Sequence, residues 1–148
     1  MPLINGFIYP GGPIIVVLVG VGSLRRRLFI KHSLPVPDPI PLRVLIDTGS
    51  SHTLFSLRVF RELGLSPVGK ELLLTPSTPA NEPHLCDLYD TSLSLVANGQ
   101  AHAFGDRRVI GGDCWLEGEE LEGLIGRDIL ARCNMWYLGK EKAFTLNF

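Results

Sequence analysis

Val44-Leu45-Ile46-Asp47-Thr48-Gly49-Ser50-Ser51 is an apolar, strand-like run that stops abruptly on an acid, a hydroxyl residue and a glycine. Placing a carboxylate at the end of a buried strand is costly unless the group is paired or has a chemical task. An ordinary Asx turn accounts for the same residues, because Asp, Thr, Gly and Ser all suit turns. At average composition an Asp-Thr-Gly tripeptide arises by chance in roughly a few per cent of chains this long. Alone, the segment leaves both readings open.

Outward from this strand, eleven prolines and sixteen glycines punctuate short runs rich in Val, Ile, Leu and Phe. That pattern predicts an all-β domain with many turns. Candidate strands cover residues 14–21, 28–31, 42–46, 71–75, 87–95, 101–104, 108–110 and 144–148. Helices are expected to be few and short. Ser56 can cap one that carries Leu57, Phe60 and Leu63 before Gly64 stops it. A second is expected from Arg127 to about Cys133, with Ile129 and Leu130 inward. Four of the seven residues 35–41 are proline, which suits a surface connection and not a central strand. Residues 75–83 are also turn-rich and lie between two strand-like runs, as the tip of a long hairpin would.

Composition narrows the function classes. At 148 residues and 45% apolar, the chain is expected to be one domain over residues 1–148. Its net charge of -1 provides no electrostatic footprint for nucleic acid or an anionic membrane. The short basic cluster Arg25-Arg26-Arg27 reads as a solvated turn or strand edge. The longest apolar run, residues 14–19, is far shorter than the ~20 residues of a membrane span. No lysine or arginine precedes it as in a secretory signal, so Met1 is expected to start the mature protein and a cytoplasmic location is the default. Cys86, Cys114 and Cys133, and the four scattered histidines, fit neither a disulfide framework nor a metal site. No metal and no cofactor is expected.

A second segment sharpens the first. Leu124-Ile125-Gly126-Arg127-Asp128 puts its glycine 79 positions downstream of Asp47. Together the two segments resemble the retropepsin-like aspartic proteases in their compact form, known from retroviruses, retroelements and bacteria. These carry an Asp-Thr/Ser-Gly loop at the end of an apolar strand. Later come two apolar residues and a glycine, leading through Arg-Asp or Arg-Asn into their only substantial helix. The resemblance covers roughly residues 14–148. It implies a closed acid-protease β-barrel that forms half of a symmetric homodimer, and peptide hydrolysis needing no cofactor.

The chemistry accounts for the residue types. One carboxylate must take a proton from water while another protonates the scissile carbonyl oxygen. Two carboxyls that close share one proton and titrate as a pair. The chain has one Asp-Thr-Gly and about half the length of the two-lobed form, so the resemblance implies that a second Asp47 comes from a second chain. By the same resemblance, Thr48 reaches across the axis to the partner's loop, and Gly49 lets substrate backbone approach. Leu124, Ile125 and Gly126 pack beneath the loop, Arg127 points back to it, and residues 144–148 form the terminal strand interleaved between copies. Ser50, where many retroviral enzymes have alanine, is expected to donate to the outer oxygen of Asp47, giving a more acidic optimum. Those enzymes commonly carry an acid where this chain has Ser51, so the usual partner of Arg127 must be rebuilt elsewhere or lost. Ser51 and His52 are rim candidates, His52 either lining a subsite or standing at the edge. Thr75, Pro76, Ser77 and Thr78 fall in the expected flap, the hairpin that closes over substrate. Tyr89 and Asp90 follow it, and Tyr89 suits plain packing as well as a site. Asp106, Asp113, Glu117, Glu119 and Glu120 read as a polar loop.

Three readings follow. The first is a homodimeric aspartic endopeptidase acting on an extended peptide. The second is a catalytically silent, dimeric peptide-binding or assembly module on the same fold. The third is a β-barrel with a chance motif, which two correctly ordered segments disfavour.

Overall fold

Along residues 40–46, 89–97 and 143–147 buried side chains recur at every second position, and each run turns one face inward as a strand. In the computed structural model, which describes residues 1–73, 83–113 and 120–148, ten strands and three helices follow in order. They are β1 (Leu3–Tyr9), β2 (Gly12–Val21), α1 (Ser23–Lys31), β3 (Ile40–Ile46), β4 (Leu54–Phe55), α2 (Leu57–Glu62) and β5 (Gly69–Leu73). After these come β6 (His84–Ala97), β7 (Gln100–Gly111), β8 (Gly123–Ile125), α3 (Arg127–Leu130), β9 (Asn134–Leu138) and β10 (Ala143–Asn147). The lateral order is β5-β6-β7-β4-β8-β3-β2-β1-β10-β9, and β6 also pairs with β2. That extra pairing closes six strands into a barrel. Closure removes sheet edges that would otherwise expose unpaired backbone groups.

The barrel core is made of Val17, Val19, Val44, Phe55, Phe60, Leu93, Leu95, Val109 and Ile125, all buried. Strand β2 pairs with β3 along one edge and with β6 along the other, which is why its apolar run is nearly continuous. Strands β6 and β7 form a long hairpin whose register shifts between Leu93 and Ser94. Gly105 pairs at that point with φ +94, so β7 passes unbroken through residues expected to form two separate strands. Asp106 therefore lies in a strand and not in a polar loop. Across this hairpin Arg108 donates to Asp90 at 2.7 and 3.0 Å and holds its carboxyl below the usual range. Both side chains are exposed, so the stabilisation is small; it is present at neutral pH and is lost as pH falls through the lowered value.

The largest departure from the sequence reading is α1. Residues 28–31 were expected as a strand and Arg25-Arg26-Arg27 as a turn or strand edge, yet all lie in one exposed helix. The reason is a cap from 83 residues away: the Ser23 backbone N–H donates to both Asp106 carboxylate oxygens at 3.1 Å, and the Ser23 hydroxyl donates to the same group. A carboxylate at a helix N-terminus satisfies orphan donors and complements the helix dipole. Helix α2 keeps its sequence-read limits: Ser56 Oγ accepts from Arg58 N at 3.4 Å, and Gly64 follows with φ +66. Helix α3 is a single turn, shorter than the segment expected to reach Cys133 and shorter than α1. Ile40 and Pro41, read as part of the surface connection, open β3, where a proline near a strand start is tolerated. No helix among the described residues is long and apolar enough to cross a membrane.

Candidate active site

Strand β3 ends at Ile46, and the chain turns through residues 47–53 before it resumes as β4. The gap between these strands is filled by β8. It runs parallel to β3, with Leu45 opposite Leu124 and Ile46 opposite Ile125, and antiparallel to β4, with Leu54 opposite Leu124. Parallel neighbours need a long connection, so residues far apart in sequence are brought under the turn. Asp47 N donates to the Ile125 carbonyl at 2.9 Å, and Arg127 N donates to the Ser50 carbonyl at 2.8 Å. Ile125 and Arg127 thus hold the turn through backbone hydrogen bonds, and Leu124 lies between Leu45 and Leu54 in the sheet.

Within the turn, the Gly49 N–H donates to Asp47 Oδ1 at 2.9 Å. Asp47 is half-buried while Thr48 and Gly49 are exposed, so the acid stands at the protein surface. Arg127 bends back over the turn and donates from one guanidinium nitrogen to the carbonyls of Thr48 at 3.0 Å and Gly49 at 3.3 Å. Ser51 carries no charge, and these two carbonyls accept from the arginine.

Ser50 departs from its expected role. Its hydroxyl donates to the His52 carbonyl at 2.7 Å, not to Asp47, and the His52 N–H returns to Ser50 Oγ at 3.3 Å. A hydroxyl has one proton to give. The acid-shifted optimum expected from Ser50 therefore loses its basis. Ser51 Oγ lies 2.9 Å from His52 Nδ1, pairing the two rim residues with each other. Thr75, Pro76, Ser77 and Thr78 lie outside the described residues, as do Cys114, Glu117 and Glu119. Tyr89 is buried and stacks on Phe60, with ring centroids 3.9 Å apart, so it packs the core.

Sequence reasoning missed Thr53. This fully buried hydroxyl donates to Asp128 Oδ1 at 2.7 Å and accepts from the Gly126 N–H at 3.0 Å, while Thr53 N donates to Asp128 Oδ2 at 2.9 Å. Asp128 also accepts from Ile129 N at 2.9 Å, so one carboxylate joins the end of the Asp47 turn to the start of α3. No spacing rule signals a threonine that works through a residue 75 positions away. Thr53→Val keeps the shape but leaves the buried Gly126 N–H without an acceptor. The expected cost is about 2–3 kcal/mol in urea unfolding, and a change below about 0.5 kcal/mol would remove this clamp from the account.

A cavity of about 560 Å³ lies between α1 and the β6–β7 hairpin, lined by Leu24, Leu28, Leu65, Asp106 and Arg108 among others. It shares no residue with the Asp47 turn.

The fold can be set beside solved structures. The chain superposes on the crystal structure of a retropepsin-like aspartic protease from Rickettsia conorii with a TM-score of 0.53, at 15% identity, over 99% of this chain and 91% of that one. The fold is retropepsin-like. An EIAV protease solved with the inhibitor HBY-793 also matches, with a TM-score of 0.40 and 18% identity over 80% of this chain and 85% of that one. No family model matches the chain, and no curated protein matches it in sequence. On this retropepsin-like frame the Asp47 turn and the β8–α3 segment meet at one end of the barrel, joined by the hydrogen bonds described above.

Proposed function

We propose that this chain is a homodimeric aspartic endopeptidase whose two Asp47 carboxylates, one from each copy, activate a water against an extended peptide. The observation that carries the reading is the braced Asp47 turn: a half-buried carboxylate at the end of a core strand, flanked by exposed Thr48 and Gly49 and held from below by Ile125 and Arg127. Such rigidity suits a group that must meet its symmetry mate within hydrogen-bond reach. In the pair, one carboxylate is ionised and accepts a proton from water, while the other is protonated and donates to the scissile carbonyl oxygen. Each carboxyl recovers its starting state when the amine leaves. Main-chain pairing along the cleft would supply much of the substrate affinity, with apolar pockets setting preference. Thr48 serves by spanning the axis, Gly49 by admitting substrate backbone, and Ser51 and His52 by forming the rim.

The test is cleavage of denatured casein between about pH 3.5 and 7, where a shared carboxyl proton is available, at several enzyme concentrations and with or without pepstatin. Specific activity is expected to rise with concentration as monomers pair, and pepstatin to abolish it. A folded protein that cleaves nothing at any concentration would instead favour the silent binding module.

A further inference from the structure

Helix α1 has nine residues and buries none of their side chains, although so short a helix needs packing to persist in water. It is held at its start by Asp106 and along its length by Arg25, which donates to the Gly64 carbonyl at 2.9 Å. Leu24 and Leu28, one turn apart, line the cavity of about 560 Å³, with Leu65 and Val68 also in its wall. Leu24 is 69%, Leu28 48% and Val68 49% exposed. The apolar stripe that a surface helix normally sets against protein therefore faces a cavity instead. We propose that this cavity binds a small amphipathic anion, an apolar chain ending in a carboxylate. The site is separate from the Asp47 turn and does not depend on the protease reading.

The charge of the wall selects the head group. It carries Arg25, Arg107 and Arg108 against Asp90 and Asp106. Arg108 and Asp90 are bonded to each other at 2.7 and 3.0 Å, so their charges offset. Asp106 receives the Ser23 N–H and hydroxyl at the positive end of α1. Arg25 and Arg107 have no carboxylate partner among the described residues. Arg25 donates to the Gly64 carbonyl, and Arg107 to the carbonyls of Asp106 at 2.6 Å and Phe104 at 3.1 Å. A guanidinium has more N–H donors than these bonds use. Two such cations in an apolar wall favour an anion, which gains charge-assisted hydrogen bonds from them. An ammonium head would meet like charge. The cavity also falls within the size range of small-molecule sites.

The wall has room for further atoms. Gly22 lies in it with φ -64, a conformation open to other residues. A Cβ there would meet only the Asp90 carbonyl oxygen at 3.8 Å and the Asp106 carboxyl at 3.9 Å, which are ordinary contacts. A larger side chain at this position can therefore enter the cavity without displacing backbone, and it supplies a variant that blocks the site. A bound chain would touch α1, the residues just before β5 and the β6–β7 hairpin at once, tying the helix to the barrel.

The test titrates octanoate, octanol and octyltrimethylammonium into the wild type at neutral pH by calorimetry, and follows the α1 amides by hydrogen exchange. Octanoate is expected to bind saturably, about tenfold or more tightly than either of the others. It should also slow exchange across residues 23–31, a readout that needs no variant to fold. Gly22→Leu should weaken octanoate by about tenfold or more by taking its volume, and Arg25→Gln by about tenfold by removing a charged donor. Asp47→Asn should bind octanoate as the wild type does. Failure of octanoate to bind, or equal binding of all three probes, would overturn the proposal. So would octanoate binding that leaves α1 exchange and the Gly22→Leu affinity unchanged. A Gly22→Leu chain whose self-association changed while octanoate bound nowhere would assign the groove to a second copy and sink the anion site.

Discussion

Asp47→Asn is expected to lower peptide hydrolysis by about 10⁴-fold, the upper range for loss of acid–base catalysis, with the fold intact. Asparagine keeps a side-chain carbonyl oxygen, so it still accepts from the Gly49 N–H as Asp47 Oδ1 does at 2.9 Å. What disappears is a group able to gain or lose a proton. The shared site adds a second consequence. When an equal amount of variant chain equilibrates with wild type, about half of the wild-type chains end in mixed dimers that hold one carboxylate. Activity from the same amount of wild type should then fall about twofold. A self-sufficient monomer would lose nothing. Titrating casein cleavage with the variant, at concentrations where the specific activity of the wild type has levelled off, measures this directly, and undiminished activity there would contradict the symmetric pair.

Gly126→Ala is expected to destabilise the protein by about 3–5 kcal/mol, in the range reserved for severe steric faults. A Cβ at Gly126 would sit 2.5 Å from the His52 carbonyl oxygen and 2.6 Å from its carbon, and these are backbone atoms that no rotamer change can move aside. The same residue donates its N–H to Thr53 Oγ1 and precedes the N–H that bonds Ser50, so any shift propagates into the Asp47 turn. Urea unfolding followed by far-UV circular dichroism reads the loss. Whatever folded fraction remains should cleave more slowly because the turn has lost its support. A variant as stable as the wild type would mean that His52 and Gly126 are not in close contact.

The parts of the fold legible in sequence are those set by neighbours along the chain. Strands β2 and β3 showed in their apolar runs, and α2 in its Ser56 cap and Gly64 stop. The Asp47 turn and the 124–128 segment could each be singled out, because an acid ending a buried strand and a glycine between apolar residues and an arginine are local oddities. Local signals do not reach further. Strands β4 and β8 have two and three residues, too few for any periodicity, and exist because each completes the other's hydrogen bonding. Helix α1 depends on Asp106, and the brace of the turn on Thr53 and Asp128, partners that only folding brings together. Residue type alone points Ser50 at Asp47, but in the folded turn its hydroxyl donates to the His52 carbonyl. The sequence by itself determined a β-rich chain with one acid at a strand end, since side-chain periodicity and turn chemistry act over a few residues. Tertiary structure alone decided which distant groups hold that acid and which strands close the barrel, since hydrogen-bond partners are chosen by proximity in space.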